Sequence, residues 1–155
     1  IRYPRGKGVI TDWQQAFEKI EIGKGQLLSK GKHIAFLSIG AAGNTVSELV
    51  SGYQSATAPA HYNMRFVKPL DTELLHQVFG QYSYLITVED GCRAGGFGSA
   101  VLEFANENGY KNPVKIFGVE DRFIEQGTVA ELQAEAGLDL DTLKKYVEQL
   151  LEINP

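Results

Sequence analysis

Lys32-His33-Ile34-Ala35-Phe36-Leu37-Ser38-Ile39 is a mostly apolar run that stops at Gly40. A strand with one wet face alternates apolar and polar residues, whereas an apolar run this short suits a strand covered on both faces. Beyond Gly40, Val46, Leu49, Val50 and Tyr53 recur at i, i+3, i+4 and i+7, one stripe of a helix. Thr45-Val46-Ser47-Glu48 has the form of a capping box and predicts that this helix starts there. The same alternation continues along the chain. Ala60 to Phe66 predicts a second strand, and a helix follows from about Asp71 with Leu74, Leu75, Val78 and Phe79 on one face. Tyr84 to Glu89 predicts a third strand, then a glycine-rich turn, then a helix carrying Phe97, Val101, Phe104 and Ala105 and ending at Asn108-Gly109. Val114 to Val119 predicts a fourth strand. One closing helix is capped by Thr128-Val129-Ala130-Glu131, and a last one runs from about Asp139 past the separator Gly137. Strands alternating with helices predict an α/β fold, three layers α/β/α around a mostly parallel sheet.

The first thirty residues differ in texture. Gly23-Lys24-Gly25-Gln26-Leu27-Leu28 suits an added edge strand, and Trp13, Ala16, Phe17 and Ile20 suit a short helix. At 155 residues the chain is one domain, long enough to bury a core without disulfides or metals. Hydrophobic residues make up 43% and charged residues 22%, too apolar for a disordered chain. A net charge of −4 without a basic run argues against nucleic acid as a partner, and the apolar stretches are far too short to span a membrane. The single cysteine excludes an internal disulfide framework and leaves a reducing cytoplasm as the default compartment. The start at Ile1-Arg2-Tyr3-Pro4-Arg5, without a signal-peptide core, reads as a domain excised from something longer.

Spacing alone yields no catalytic constellation. His33, His61 and His76 form no i, i+4 pair and have no cysteine nearby, so they read as solvent-facing or capping residues rather than zinc ligands. Cys92 beside Arg93 is a candidate reactive thiol with no local base. Two glycine-rich turns, Gly40 to Thr45 and Gly91 to Ser99, lead from strands into helices, whose N-terminal amides hold anions well. Neither completes a dinucleotide fingerprint or a Walker A loop, and glycine also serves tight turns and close packing. Glu89 and Asp90 end the third strand, but neighbours in a strand face opposite ways, which favours helix capping or a salt bridge over paired acid–base work. Arg65 and Lys68 stand at the equivalent end of the second strand, where Pro69 and the N-cap Asp71 make a turn the simpler reading. Arg5, between Pro4 and Gly6, is either a bidentate phosphate clamp or an ordinary surface arginine.

Several segments, in order, resemble the 1-deoxy-D-xylulose-5-phosphate synthase family: Ile1 to Gly6, Glu21 to Gly25, Arg65 to Asp71, Ile86 to Asp90, Gly95 to Val101, Gly118 to Gly127 and Ala136 to Asp139. They span nearly the whole chain and correspond to the last of that family's three domains, the transketolase C-terminal type. The chain departs from the family in having Glu89-Asp90 for its usual Glu-Glu, Tyr82 where a His is frequent, and a poorly matching stretch from Ala41 to Ala58.

The resemblance implies a division of the chain. Residues 1–30 become a linker from a missing pyrimidine-binding domain plus the edge strand, and residues 31–155 the transketolase C-terminal-like domain. It also implies a parent transferase that condenses pyruvate with glyceraldehyde 3-phosphate, with loss of carbon dioxide, on the route to isoprenoids, thiamine and pyridoxal. Thiamine diphosphate and Mg²⁺ would be bound by the missing domains, and the parent would be a homodimer. Arg5 matches the family's acceptor-phosphate arginine, the Gly95–Gly98 loop would serve packing between domains, and no catalytic, cofactor or metal residue is expected here. The alternatives are a free-standing anion- or nucleotide-binding module using the Gly40 or Gly91 turn, a purely structural interface domain, and the C-terminal domain of another transketolase-like enzyme.

Overall fold

The computed structural model describes residue 14, residue 16 and residues 18–54 and 57–153. Its elements are β1 (Gln26–Ser29), β2 (Ile34–Ser38), α1 (Ala42–Ser51), β3 (Ala60–Asn63), α2 (Thr72–Gln81), β4 (Tyr84–Cys92), α3 (Phe97–Glu107), β5 (Val114–Val119), α4 (Val129–Glu135) and α5 (Leu140–Ile153). The strands form one five-stranded sheet in the order β1-β3-β2-β4-β5. β2 pairs with β3 and β4 in parallel, β4 pairs with β5 in parallel, and β1 alone runs antiparallel, along the edge of β3.

The mostly apolar run that marked β2 is explained by two cores. Side chains alternate across a strand, so Ala35 and Leu37 point to one face and Ile34 and Phe36 to the other. On the first face they meet Leu75, Val78 and Phe79 of α2 and Phe97, Val101 and Phe104 of α3. On the second they meet Val46, Leu49 and Val50 of α1 and Leu143 and Val147 of α5. This is the expected three-layer α/β/α arrangement. Burying each such side chain contributes roughly 1.5–3 kcal/mol, so the sheet is held from both sides. α4 buries none of its residues and rests on the Thr128–Glu131 capping box.

Asp71 ties the edge strand to α2. Its carboxylate is buried, caps α2 by accepting from Leu74 N at 3.1 Å, and accepts from Gly25 N at 2.9 Å. Tyr82, at the end of α2, meets Tyr62 of β3 in a buried pair with hydroxyl oxygens 3.1 Å apart. Burial, with the Tyr82 bond second, holds the Tyr62 phenol well above its ordinary pKa.

Four local expectations are corrected. Thr45 to Glu48 lies inside α1, because Gly40 takes a φ of +68° and turns the chain directly into a helix that begins at Ala42. β3 stops at Asn63 rather than Phe66: the Asn63 side chain accepts from Arg65 N, and Arg65 sits at a φ of +57°. β4 continues to Cys92, three residues past Glu89, pairing again with β5 at Val119. Ala16 and Ile20 lie in neither helix nor strand; Trp13 and Phe17 fall outside the described residues.

Candidate functional site

Both glycine turns open at the carboxyl end of the parallel strands, the end at which open α/β sheets hold ligands. The foot of α3 is filled from within. Glu89, 4% exposed, points under the helix: Oε2 accepts from Phe97 N and Oε1 from Gly98 N, each at 2.9 Å. A carboxylate facing helix amides is favoured by their unpaired N–H groups and by the helix dipole. It occupies the position in which a phosphate would bind.

The glycines serve this closure. A Cβ on Gly96 would stand 2.2 Å from the Cys92 carbonyl oxygen and 2.5 Å from Glu89 Oε2. One on Gly98 would stand 2.6 Å from both Thr87 Oγ1 and Ile116 Cγ2. The Gly95–Gly98 loop therefore packs α3 against its own sheet, while Arg93, Ala94 and Gly95 at its start stay exposed. Ser99 Oγ accepts from Gly95 N and donates to the Arg93 carbonyl at 2.7 Å, closing the loop on itself. The helix-capping expectation for Glu89 holds. Asp90, next along the strand, is exposed and lies beside Gly40.

The foot of α1 carries a neutral cluster. Gly43 N and Asn44 N donate back to the Gly40 and Ala41 carbonyls at 3.2 and 3.0 Å, which closes the first turn. Beneath it His61, 1% exposed, lies with Nε2 2.7 Å from Ser38 Oγ and Nδ1 3.3 Å from Ser47 Oγ. Ser38 Oγ also donates to the Tyr62 carbonyl, an arrangement met by a neutral imidazole that donates from Nε2 and accepts at Nδ1. Burial lowers the pKa of His61 to about 4. The expectation that His61 faces solvent or caps a helix is thus corrected. It is a core residue, because β3 is covered on the face that turns toward α1.

The remaining candidates do not converge. His33 is exposed in the turn before β2, and His76 is exposed on α2 with Nδ1 2.7 Å from Tyr110 Oη. Cys92 is exposed at the end of β4. Arg93 pairs with Glu120 at 3.1 Å, and Arg122 with Glu135 at 2.8 Å. Arg65 donates to Gln26 on the edge strand, and Lys68 is exposed in the bend before Pro69. Arg5, the candidate phosphate contact, lies outside the described residues.

Among the described residues no three His, Cys, Asp or Glu side chains stand together as a metal site. With the α3 amides bonded to Glu89 and the α1 amides engaged in their own turn, these residues do not fit a diphosphate with its divalent cation. Sequence reasoning missed the Ser38–His61–Ser47 cluster. Its only signal was a polar His between Ala60 and Tyr62 in an otherwise apolar strand.

The family model described as "Transketolase, C-terminal domain" matches residues 23–143. The 1-deoxy-D-xylulose-5-phosphate synthase of Porphyromonas gingivalis is 49% identical over 152 residues, covering 97% of this chain and 24% of that protein. The enzyme of the same name from Cytophaga hutchinsonii is 50% identical over 151 residues, again 97% and 24%. The chain thus spans about a quarter of the length of the curated relatives it matches. Among solved structures, one described as a split gene transketolase, inactive beta4 tetramer, aligns with a TM-score of 0.76 at 28% identity, covering 89% of this chain and 45% of that one. A transketolase from Campylobacter jejuni aligns with a TM-score of 0.56 at 17% identity, over 82% and 18%, which bears on the fold alone.

Proposed function

The chain belongs to the transketolase C-terminal domain family, and from that premise we propose that it serves as the C-terminal domain of a 1-deoxy-D-xylulose-5-phosphate synthase, contributing assembly and acceptor-phosphate binding without turnover of its own. The parent enzyme condenses pyruvate with glyceraldehyde 3-phosphate in the cytoplasm. It works as a homodimer, and its other domains bind thiamine diphosphate and Mg²⁺. One observation carries the reading: near 50% identity runs along almost all of this chain while covering only a quarter of each synthase.

The filled foot of α3 supports the division of labour. A domain whose anion-binding helix end already holds Glu89 has no place there for the diphosphate of a cofactor. The same filling counts against a free-standing nucleotide-binding module at the Gly91 turn. The split-gene neighbour, described as inactive in its tetramer, fits the view that such a piece alone does not turn over.

Within this reading Arg5 is the one residue of the chain that touches substrate, forking the acceptor phosphate. The test is an assay of the purified chain and of the full-length synthase, each with pyruvate, glyceraldehyde 3-phosphate, thiamine diphosphate and Mg²⁺. Product from the full-length protein and none from the chain alone is the expected result; robust product from the chain alone overturns the proposal. In the full-length enzyme, Arg5→Ala removes a charge-assisted contact of about 1.5–3 kcal/mol and lowers kcat/KM for the acceptor roughly 10- to 150-fold. Arg5→Lys restores only part, and an unchanged kcat/KM for Arg5→Ala removes Arg5 from the site.

A further inference from the structure

The register fixes where the chain enters the fold. Gln26, the first residue of β1, lies opposite Asn63, the last of β3, and Asn63 lies beside Ser38 at the end of β2. Ser38 pairs in turn with Val88, and Val88 with Phe117. Because β1 is antiparallel, the residues before Gln26 arrive at the carboxyl end of the four parallel strands.

That end carries large apolar side chains exposed at both flanks. On the β1 side are Ile20 at 56%, Ile22 at 75% and Val67 at 37% exposure; beyond β5 stands Phe123, fully exposed. Gly23 abuts Pro69, where an added Cβ would come within 2.8 Å of the proline Cγ, so Ile22 and Val67 each stand within two residues of one contact. The opposite end of the sheet is lined by exposed polar residues in the turns before β2 and β4, among them Lys32, His33 and Ser83.

We propose that this carboxyl end, anchored by Ile20, Ile22 and Val67 at one flank and Phe123 at the other, docks onto the preceding portion of the same polypeptide in the full-length protein. The inference rests on the reading of the chain as one domain of a longer synthase. Five strands at about 4.8 Å set the flanks roughly 20 Å apart, within the reach of a single inter-domain interface of ~600–1,500 Å². The chain spans only a quarter of its relatives, so ample polypeptide remains to cover the face. Residues 18–25 run in beside it, so a covalent connection on that side gives a high effective concentration that compensates for a modest, interrupted apolar patch. Between the flanks lie Asp90, Arg93 and Glu120, the mixed polar character that distinguishes inter-domain contacts from obligate dimer cores.

Hydrogen exchange on the full-length synthase, compared with the isolated chain, tests this. Amides of residues 20–25, 65–68 and 120–127 are expected to exchange at least tenfold more slowly in the full-length protein, while residues 31–33 and 83 stay unchanged. Phe123→Asp combined with Ile22→Asp should abolish the added protection in the full-length protein and leave exchange in the isolated chain as it was. Protection at the opposite end, or nowhere, in a full-length protein that makes product overturns the docking face and leaves the proposed function intact. Protection that grows with concentration of the isolated chain also overturns it, by making a second copy the occupant. A full-length protein that makes no product counts against the function instead.

Discussion

At the foot of α3 a buried carboxylate accepts from two helix amides; at the foot of α1 a neutral imidazole lies between two serines. Both helices start at the same end of one sheet, after a glycine turn. One start is neutralised by a full charge and the other closes its own amides and leaves a polar but uncharged cluster beneath. A helix beginning therefore states a demand for hydrogen-bond acceptors without fixing whether the answer is ionic. Removing charge should disturb α3 and adding charge should disturb α1.

The largest effect expected from breaking this contrast is at Glu89. Glu89→Ala loses two charge-assisted hydrogen bonds worth about 1.5–3 kcal/mol each, so urea unfolding should report a loss of about 3–6 kcal/mol. Sulfate at high concentration should restore part of that loss in the variant and not in the parent, by binding the vacated amides. Equal sulfate responses in both would mean that the α3 foot is not an anion site even when emptied.

His61 should make the second largest contribution, and through pH. Its folded pKa near 4 lies below the ordinary value of 6.5. Between those limits the unfolded chain binds more protons, so stability is full above pH 6.5 and declines as pH falls toward 4. Linkage puts the decline at roughly 3 kcal/mol. His61→Gln should flatten this part of a stability–pH profile; a slope that survives the substitution belongs to other groups.

Two glycines sharpen the comparison further. Gly98→Ala drives a methyl group into Thr87 and Ile116 at the closely packed foot of α3 and should cost about 2 kcal/mol in thermal unfolding. Gly40→Ala meets only an ordinary contact with Asp90 but must hold a φ of +68°. It should cost about 1 kcal/mol, with Gly40→Asn milder. A Gly40→Ala penalty exceeding that of Gly98→Ala would reverse the ranking of backbone strain and close packing at the two turns.

What the sequence disclosed depended on range. β2, α2, β5, α4 and α5 were legible because periodicity and capping act over a few residues: Asp71 and Thr128 cap the helices assigned to them. The edge position of β1 was legible from its separation from the rest of the pattern. Thr45 to Glu48 misled because a capping motif also occurs harmlessly inside a helix, and the glycine five residues earlier decided the start. Glu89 was readable as a helix cap from strand alternation, but its grip on two amides depends on how closely Gly96 and Gly98 approach. The Ser38–His61 bond joins residues 23 apart in sequence. It exists only because β2 and β3 pair in one particular register, which local pattern does not encode. The phosphate role of Arg5 came from resemblance, since a surface arginine and a phosphate clamp look alike as sequence.

The edge strand has a bearing on solubility. An unpaired strand edge is a template on which another chain can add and grow into an aggregate. β1 carries two partly exposed leucines, Leu27 and Leu28, which would favour such growth. Yet it offers only four residues, and its register slips between Leu27 and Ser29. Among the described residues no strand lies outside β1, and a short strand with a break in register is the form by which sheet edges resist such growth.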